Sequence, residues 1–205
     1  YHKGEALEIY PLAVNVCKNC FHNQLTIAVD PAEMFSHYLY VSGTTWTFSN
    51  HCDQLAEDAA RRYHNESKKK NNKPRVLDIA CNDGTLLYYF RKWGFHEVHG
   101  VDPAANLRKL TEEKQIPVTV DFWQKGIAKK LKKKFDIITA TNVFAHVNNV
   151  REFLDECEQA LKSDGTVILE FPYAQDLISK LEFDTIYHEH LSYFLVHSFP
   201  ALIHA

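Results

Sequence analysis

No stretch of this 205-residue sequence approaches the ~20 consecutive apolar residues that a bilayer-crossing helix needs; its longest apolar runs are short and strand-like. No charged-then-apolar leader opens the chain, so a cytoplasmic protein with no membrane partner is expected. A strong field of one sign is also missing: the net charge of −3 gives no global attraction for nucleic acid. The clusters Lys68-Lys69-Lys70 and Lys129 to Lys134 read as a solvated linker and a solvated helix face. Five cysteines form an odd, scattered set, which disfavours a disulfide framework and leaves reduced thiols or metal ligands. Two motifs are absent as well. The stretch "HEHLS" lacks the His-Glu-x-x-His spacing that puts two zinc-binding imidazoles on one helical face, and no G-x-G-x-x-G follows a strand to admit a pyrophosphate.

What is present divides into an irregular region and an alternating one. Residues 1–50 carry a Cys17-Lys-Asn-Cys20 knuckle and many aromatics but little helical periodicity, as in a small appended domain. Residues 51–74 read as a helix over Asp53 to Tyr63 and the polar linker "HNESKKKNNKP", which has no face to bury. From 75 to 183 strands and helices alternate: strand 75–81, helix 85–93 stopped at Gly94, strand 97–102, helix 104–115, strands "PVTVDF" and "FDIITATNVF", helix 150–161 and strand 166–171. Strict alternation means a parallel sheet covered on both faces. The fold class is therefore α/β, a doubly wound Rossmann-like sheet, with ligands at the carboxyl ends of its strands.

Those ends carry the candidate site. "LDIACNDGTLL" places Asp78 inside the first strand and Asn82, Asp83 and Gly84 in the turn after it; Asn and Gly tolerate the positive φ that lets a backbone bend closely around a ligand. Acids serve an anion poorly and suit a cationic ammonium and sulfonium, as in S-adenosylmethionine. Asp102 ends the second strand, where a carboxylate accepts from both hydroxyls of a ribose. Asp121 and Phe122 offer an adenine a carboxylate and a ring edge, and Asn142 faces the same crevice. Residues 184–205 contain "DTIYHEHLSYF", which packs two histidines, a glutamate and two tyrosines beside apolar side chains. If this were a strand, His188 and His190 would share one face and Glu189 would point away.

The stretches "YPLAVNVCKNCFHNQL", "YLYVSGTTW", "VLDIACNDGTLL", "GVDPAANL", "NVFAHVNN", "LEFPY" and "IYHEHLSYF" resemble, in order and nearly end to end, the S-adenosylmethionine-dependent sugar C-methyltransferases that act on nucleotide-linked keto-deoxyhexoses. The resemblance implies a zinc-binding N-terminal domain, a cofactor sheet and a C-terminal domain that helps hold the nucleotide sugar. It implies His190 as the base that enolises the sugar, with Tyr187 and Glu189 beside it, and Tyr40 near the substrate; His146, just past the fourth strand, either lines the site or caps the next helix. It also implies zinc at Cys17 and Cys20. The sequence begins too late for the family's first Cys-x-x-Cys pair and stops where the C-terminal domain is expected, so further domains of the same polypeptide are expected partners. Ala80 stands where the family usually has glycine, with less room beside the cofactor. Two other readings stay open: O- or N-methyl transfer on the same sheet, which needs no enolising base, and a binding module that keeps the fold without the chemistry.

Overall fold

A computed structural model describes residues 9–66 and 73–200. The Lys68–Lys70 cluster lies outside the described residues, as do residues 1–8 and 201–205 of the segments delimited above. In chain order the elements are β1 (Val14–Val16), β2 (Asn23–Leu25), α1 (Pro31–Phe35), α2 (Trp46–Glu66), β3 (Arg75–Ile79), α3 (Thr85–Lys92), β4 (Glu97–Asp102), α4 (Arg108–Glu113), β5 (Val118–Val120), α5 (Ile127–Leu131), β6 (Phe135–Thr141), α6 (Val150–Ala160), β7 (Leu161–Glu170), α7 (Ala174–Ser179) and β8 (Ser192–Tyr193). None of the described helices is long and apolar enough to cross a membrane.

β5, β4, β3, β6 and β7 lie side by side in that order and run parallel. The chain builds outward from β3 to one edge and then returns to lay β6 on the other side. The order therefore reverses between β3 and β6, and the loops leaving these strands part to form a crevice. Each face buries its own core. Cys52, Ala56, Ala59, Leu87 and Phe90 of α2 and α3 cover one face, while Phe153, Cys157 and Ala160 of α6 cover the other with Leu77, Ile138 and Phe144. Local signals fix several boundaries. The Asn149 side chain accepts from the N–H of Glu152 and caps α6, and Gly94 takes a φ of 96° just past α3, a left-handed stop that suits glycine.

Several expected boundaries shift, each for a tertiary reason. α2 begins at Trp46 instead of Asp53, because Phe48 and Cys52 in its first turns pack against the sheet and extend a helix whose local periodicity is weak there. β3 ends at Ile79 and β6 at Thr141, since Ala80 and Asn142 adopt φ of 56° and 55° and turn the chain toward the crevice. Residues 104–115 form a 3-10 turn (Ala105–Leu107) and the short α4 instead of one helix, and β5 covers only Val118–Val120. β7 starts at Leu161, which pairs with Phe135 across an irregularity in the register.

A second sheet joins the two ends of the chain. β1, β2 and β8 run antiparallel, with Asn23 opposite Tyr193 and Gln24 opposite Ser192. Phe194 continues into the main core, stacking on Phe144 with ring centroids 4.8 Å apart, and a parallel bridge ties it to Tyr173. The segment that carries the histidine cluster is thereby anchored over the carboxyl edge of the parallel sheet.

Candidate active site

A cavity of about 840 Å³ opens at the carboxyl ends of β3, β4 and β6. On one side of it the chain turns sharply after β3, with positive φ at Ala80, Asn82 and Gly84. Asp78 is buried and accepts from the Thr139 hydroxyl at 2.7 Å. Burial pushes its carboxyl up to about 7, helped by the nearby Asp102 charge and opposed by the Thr139 hydrogen bond. Asp102 is held at both oxygens: Oδ2 accepts from the Asn82 N–H and Oδ1 from the Ala104 N–H, each at 2.8 Å. Burial raises its pKa, and those two bonds oppose the rise. Each oxygen keeps a second lone pair, so a diol can still donate to a carboxylate already fixed in place.

The other side of the cavity is proton chemistry. Residues 187–190 form a tight turn, closed by the His190 N–H donating to the Tyr187 carbonyl at 3.0 Å, and not a strand. A turn lifts the two-residue alternation: Tyr187, Glu189 and His190 all line the cavity, while His188 faces away and meets the carbonyl of Pro11. His190 Nδ1 lies 2.8 Å from the carbonyl of Thr185, which can only accept, so Nδ1 carries the proton. Nε2 is therefore the basic nitrogen and accepts from the Tyr187 hydroxyl at 2.9 Å. Burial lowers the His190 pKa, with the Thr185 carbonyl and Glu189 opposing. His146 lies beside it, ring centroids 5.1 Å apart, and stacks on Phe35; burial and then the neighbouring His190 bring its pKa down to about 4. Both shifts favour the neutral imidazole. Tyr38 donates to Glu189 Oε2 at 3.1 Å, and burial followed by the Glu189 charge raises the phenol above its usual range.

The cavity brings together Asp78, Ala80, Asn82, Asp102, Phe122 and Asn142 from the cofactor expectation, and Tyr40, His146, Tyr187, Glu189 and His190 from the acceptor one. Gly84 shapes the turn without lining the cavity, and its N–H donates to the Cys81 carbonyl. Asp121 is turned aside: Oδ2 is paired to Lys130 at 2.6 Å, leaving the wall to Phe122 and its neighbour Trp123. Sequence reasoning missed Phe35, Tyr38, Phe48 and Trp123 as lining residues. The aromatic density of "EMFSHYLY" was the available signal for the first two.

Cys17 and Cys20 lie on a turn where the Cys17 carbonyl accepts from the Phe21 N–H, away from the cavity. Hydrogen bonds from Cys20 and Asn19 lower the Cys17 pKa, which favours a thiolate. His22, the nearest candidate third ligand, is buried instead: Nε2 lies 3.2 Å from the Ser192 hydroxyl and its ring packs on Phe194. Among the described residues no group of three or more metal-ligating side chains exists, so these two thiols do not by themselves fit a tetrahedral zinc.

The methyltransferase-domain family matches residues 51–205. The C-methyltransferase NovU of Streptomyces niveus is 29% identical over 202 residues, covering 97% of this chain and 46% of that protein. A ubiquinone biosynthesis O-methyltransferase of Nitrobacter winogradskyi is 35% identical over 119 residues, 55% of this chain and 45% of the relative. The chain thus spans about half the length of these curated relatives. Among solved structures, the plantazolicin methyltransferase BamL, in complex with a triazolic desmethylPZN analog and SAH, superposes with a TM-score of 0.60 at 18% identity over 78% of this chain and 62% of its own. A SAM-dependent methyltransferase from Archaeoglobus fulgidus gives 0.55 at 23% identity over 74% of this chain and 67% of its own. The structural likenesses show the shared fold.

Proposed function

The chain belongs to the methyltransferase-domain family, a class of S-adenosylmethionine-dependent enzymes, and from this premise we propose that it methylates carbon next to the ketone of a nucleotide-linked keto-deoxysugar. The observation that carries the reading is His190, whose protonated Nδ1 is tied to the Thr185 carbonyl and whose basic Nε2 sits at the cavity wall. Carbon becomes nucleophilic beside a ketone once a base removes its α-proton. His190 takes that proton on Nε2, and the C–H electron pair passes into the enolate. For Nε2 to take the proton the Tyr187 hydroxyl must leave that nitrogen, and it can then donate to the enolate oxygen, with Glu189 near the sugar. S-adenosylmethionine, when bound, supplies an electrophilic methyl group. Asp102 fits its ribose, Asp78 and the turn through Asn82 fit its cationic end, and Phe122 fits the adenine ring.

The charges of the wall favour the sugar as the part that enters. Asp30, Asp78, Asp102, Glu152 and Glu189 line the cavity, with no lysine or arginine among the described lining residues. A phosphate there would meet carboxylates and no fixed cation, so the phosphates belong outside and the uncharged keto ring inside. NovU, named a C-methyltransferase, supports the reading. A second reading, methyl transfer to oxygen, is favoured by the relatives named as ubiquinone biosynthesis O-methyltransferases. An oxygen acceptor loses an O–H proton and its α-hydrogens do not exchange, which separates the two.

Calorimetry with S-adenosylhomocysteine tests the cofactor reading. Binding is expected, and Asp102→Ala weakens it by about 1.5–3 kcal/mol, the range for hydrogen bonds to a charged group. An intact, folded chain that takes up none overturns the proposal. Zinc at Cys17 and Cys20 needs two further thiolates from outside the described residues. This chain alone is accordingly expected to retain little metal in elemental analysis, and a longer chain supplying that pair about one zinc per molecule.

A further inference from the structure

Tyr38, the partner of Glu189, reaches the active-site turn from a segment that forms no regular element except a 3-10 turn at Ser42–Thr44. What holds that segment comes from the cofactor loops. Asn106, in the 3-10 turn Ala105–Leu107 after β4, grips the Tyr38 backbone from both directions: its Oδ1 accepts from the Tyr38 N–H at 3.1 Å and its Nδ2 donates to the Tyr38 carbonyl at 2.7 Å. Asn82, in the turn after β3, repeats the grip further along, with Nδ2 donating to the Tyr40 carbonyl at 2.9 Å and Oδ1 accepting from the Ser42 N–H at 3.0 Å. Asp83 Oδ2 accepts from the Gly43 N–H at 3.3 Å. The approach there admits no side chain, because a Cβ on Gly43 would stand 2.4 Å from Thr85 Oγ1 and 2.5 Å from Asp83 Oδ2. Both asparagines trace back to Asp102, which holds the Asn82 N–H on one oxygen and the Ala104 N–H, two residues before Asn106, on the other.

We propose that Asn106, which does not line the cavity, is a positioning residue for the acceptor side: together with Asn82 it clamps Tyr38–Gly43 to the cofactor loops and so keeps the Tyr38 hydroxyl on Glu189, one residue from the base. The inference deepens the proposed function and rests on its reading of Glu189 and His190 as the acceptor side. The two-way grip explains why an asparagine stands at 106. Aspartate retains only the acceptor half, and alanine neither half.

Hydrogen exchange and proton NMR on this chain without ligand test the clamp. In Asn106→Ala, which loses both hydrogen bonds to Tyr38, the amides of residues 38–44 are expected to exchange about ten- to a hundredfold faster, and in Asn106→Asp, which loses one, about three- to tenfold, with the amides of β3 and β6 unchanged. The His190 ring resonances in Asn106→Ala move in the same direction as in Tyr38→Phe, because both release Glu189. Equal exchange in wild type and Asn106→Ala overturns the proposal. So does acceleration spread evenly over the sheet, which marks general loosening, or a His190 signal that moves in Tyr38→Phe alone. None of these readouts uses cofactor or acceptor. Failure to bind S-adenosylhomocysteine therefore counts against the proposed function, whereas an unmoved 38–44 segment counts against the clamp.

Discussion

The proposed cofactor side and the proposed acceptor side of one cavity are built in different ways. The cofactor side is made where strands end: Asp78, Asn82 and Asp102 fall within one strand–turn–helix–strand unit, the Asn82 N–H is held by Asp102, and Asp78 is fixed by Thr139 on the adjoining strand. The acceptor side is collected from three distant stretches. Tyr38 comes from before the sheet, His146 from the loop after β6, and Glu189 and His190 from a turn held by an N-terminal strand pairing with β8. The first arrangement comes with the fold. The second depends on long-range packing, and it carries His190, the proposed base, with Nε2 accepting from the Tyr187 hydroxyl.

Removing that base breaks the comparison at its sharpest point. His190→Asn is expected to lower exchange of the acceptor's α-hydrogen with deuterated water, followed without a methyl donor, by about 10²–10⁴-fold. It should leave S-adenosylhomocysteine affinity within about twofold, since His190 belongs to the other side; calorimetry reads the affinity and NMR the exchange. His188→Asn should be nearly silent because that ring faces away from the cavity. Exchange that survives in His190→Asn moves the base elsewhere, Tyr187 first.

The junction between the two sides is the next place to press. Gly43→Ala places a methyl within 2.5 Å of Asp83 Oδ2 and closer still to Thr85 Oγ1, groups that already hold each other. Overpacking of this kind costs about 1–3 kcal/mol. A lower urea midpoint with an unchanged slope is expected. An unaltered midpoint would mean that the junction yields freely and the two sides are less firmly joined than their hydrogen bonds imply.

The last contrast is in pH dependence, which has opposite signs on the two sides. Asp78 titrates at about 7 in the folded chain against 3.8 unfolded, so between those values the folded state holds the extra proton and stability falls as pH rises. His146 titrates at about 4 against 6.5, so there the unfolded state holds the extra proton and stability falls as pH drops. Each group contributes a slope of at most about 1.4 kcal/mol per pH unit. In urea unfolding from pH 4 to 7, Asp78→Asn should remove the first slope and His146→Gln the second, tilting the stability curve relative to wild type in opposite directions. A tilt in the same direction would show that burial does not govern one of the two.

Sequence alone determined the parts whose physics is local. Alternating apolar strands and amphipathic helices specify a parallel sheet, the sheet specifies where a ligand sits, and the acid and asparagine at the end of β3 announce a backbone that bends toward it. It also placed the histidine cluster in one short stretch. Periodicity did not separate those histidines, because period-two reasoning assumes a strand and the chain instead makes a turn at 187–190; only the family resemblance singled out His190. The diversion of Asp121 to Lys130, the burial of His22 and the arrival of Tyr38 on Glu189 likewise belong to tertiary structure alone. Each joins residues that are not neighbours along the chain, and side-chain pairing across such a gap leaves no periodicity in the sequence to read.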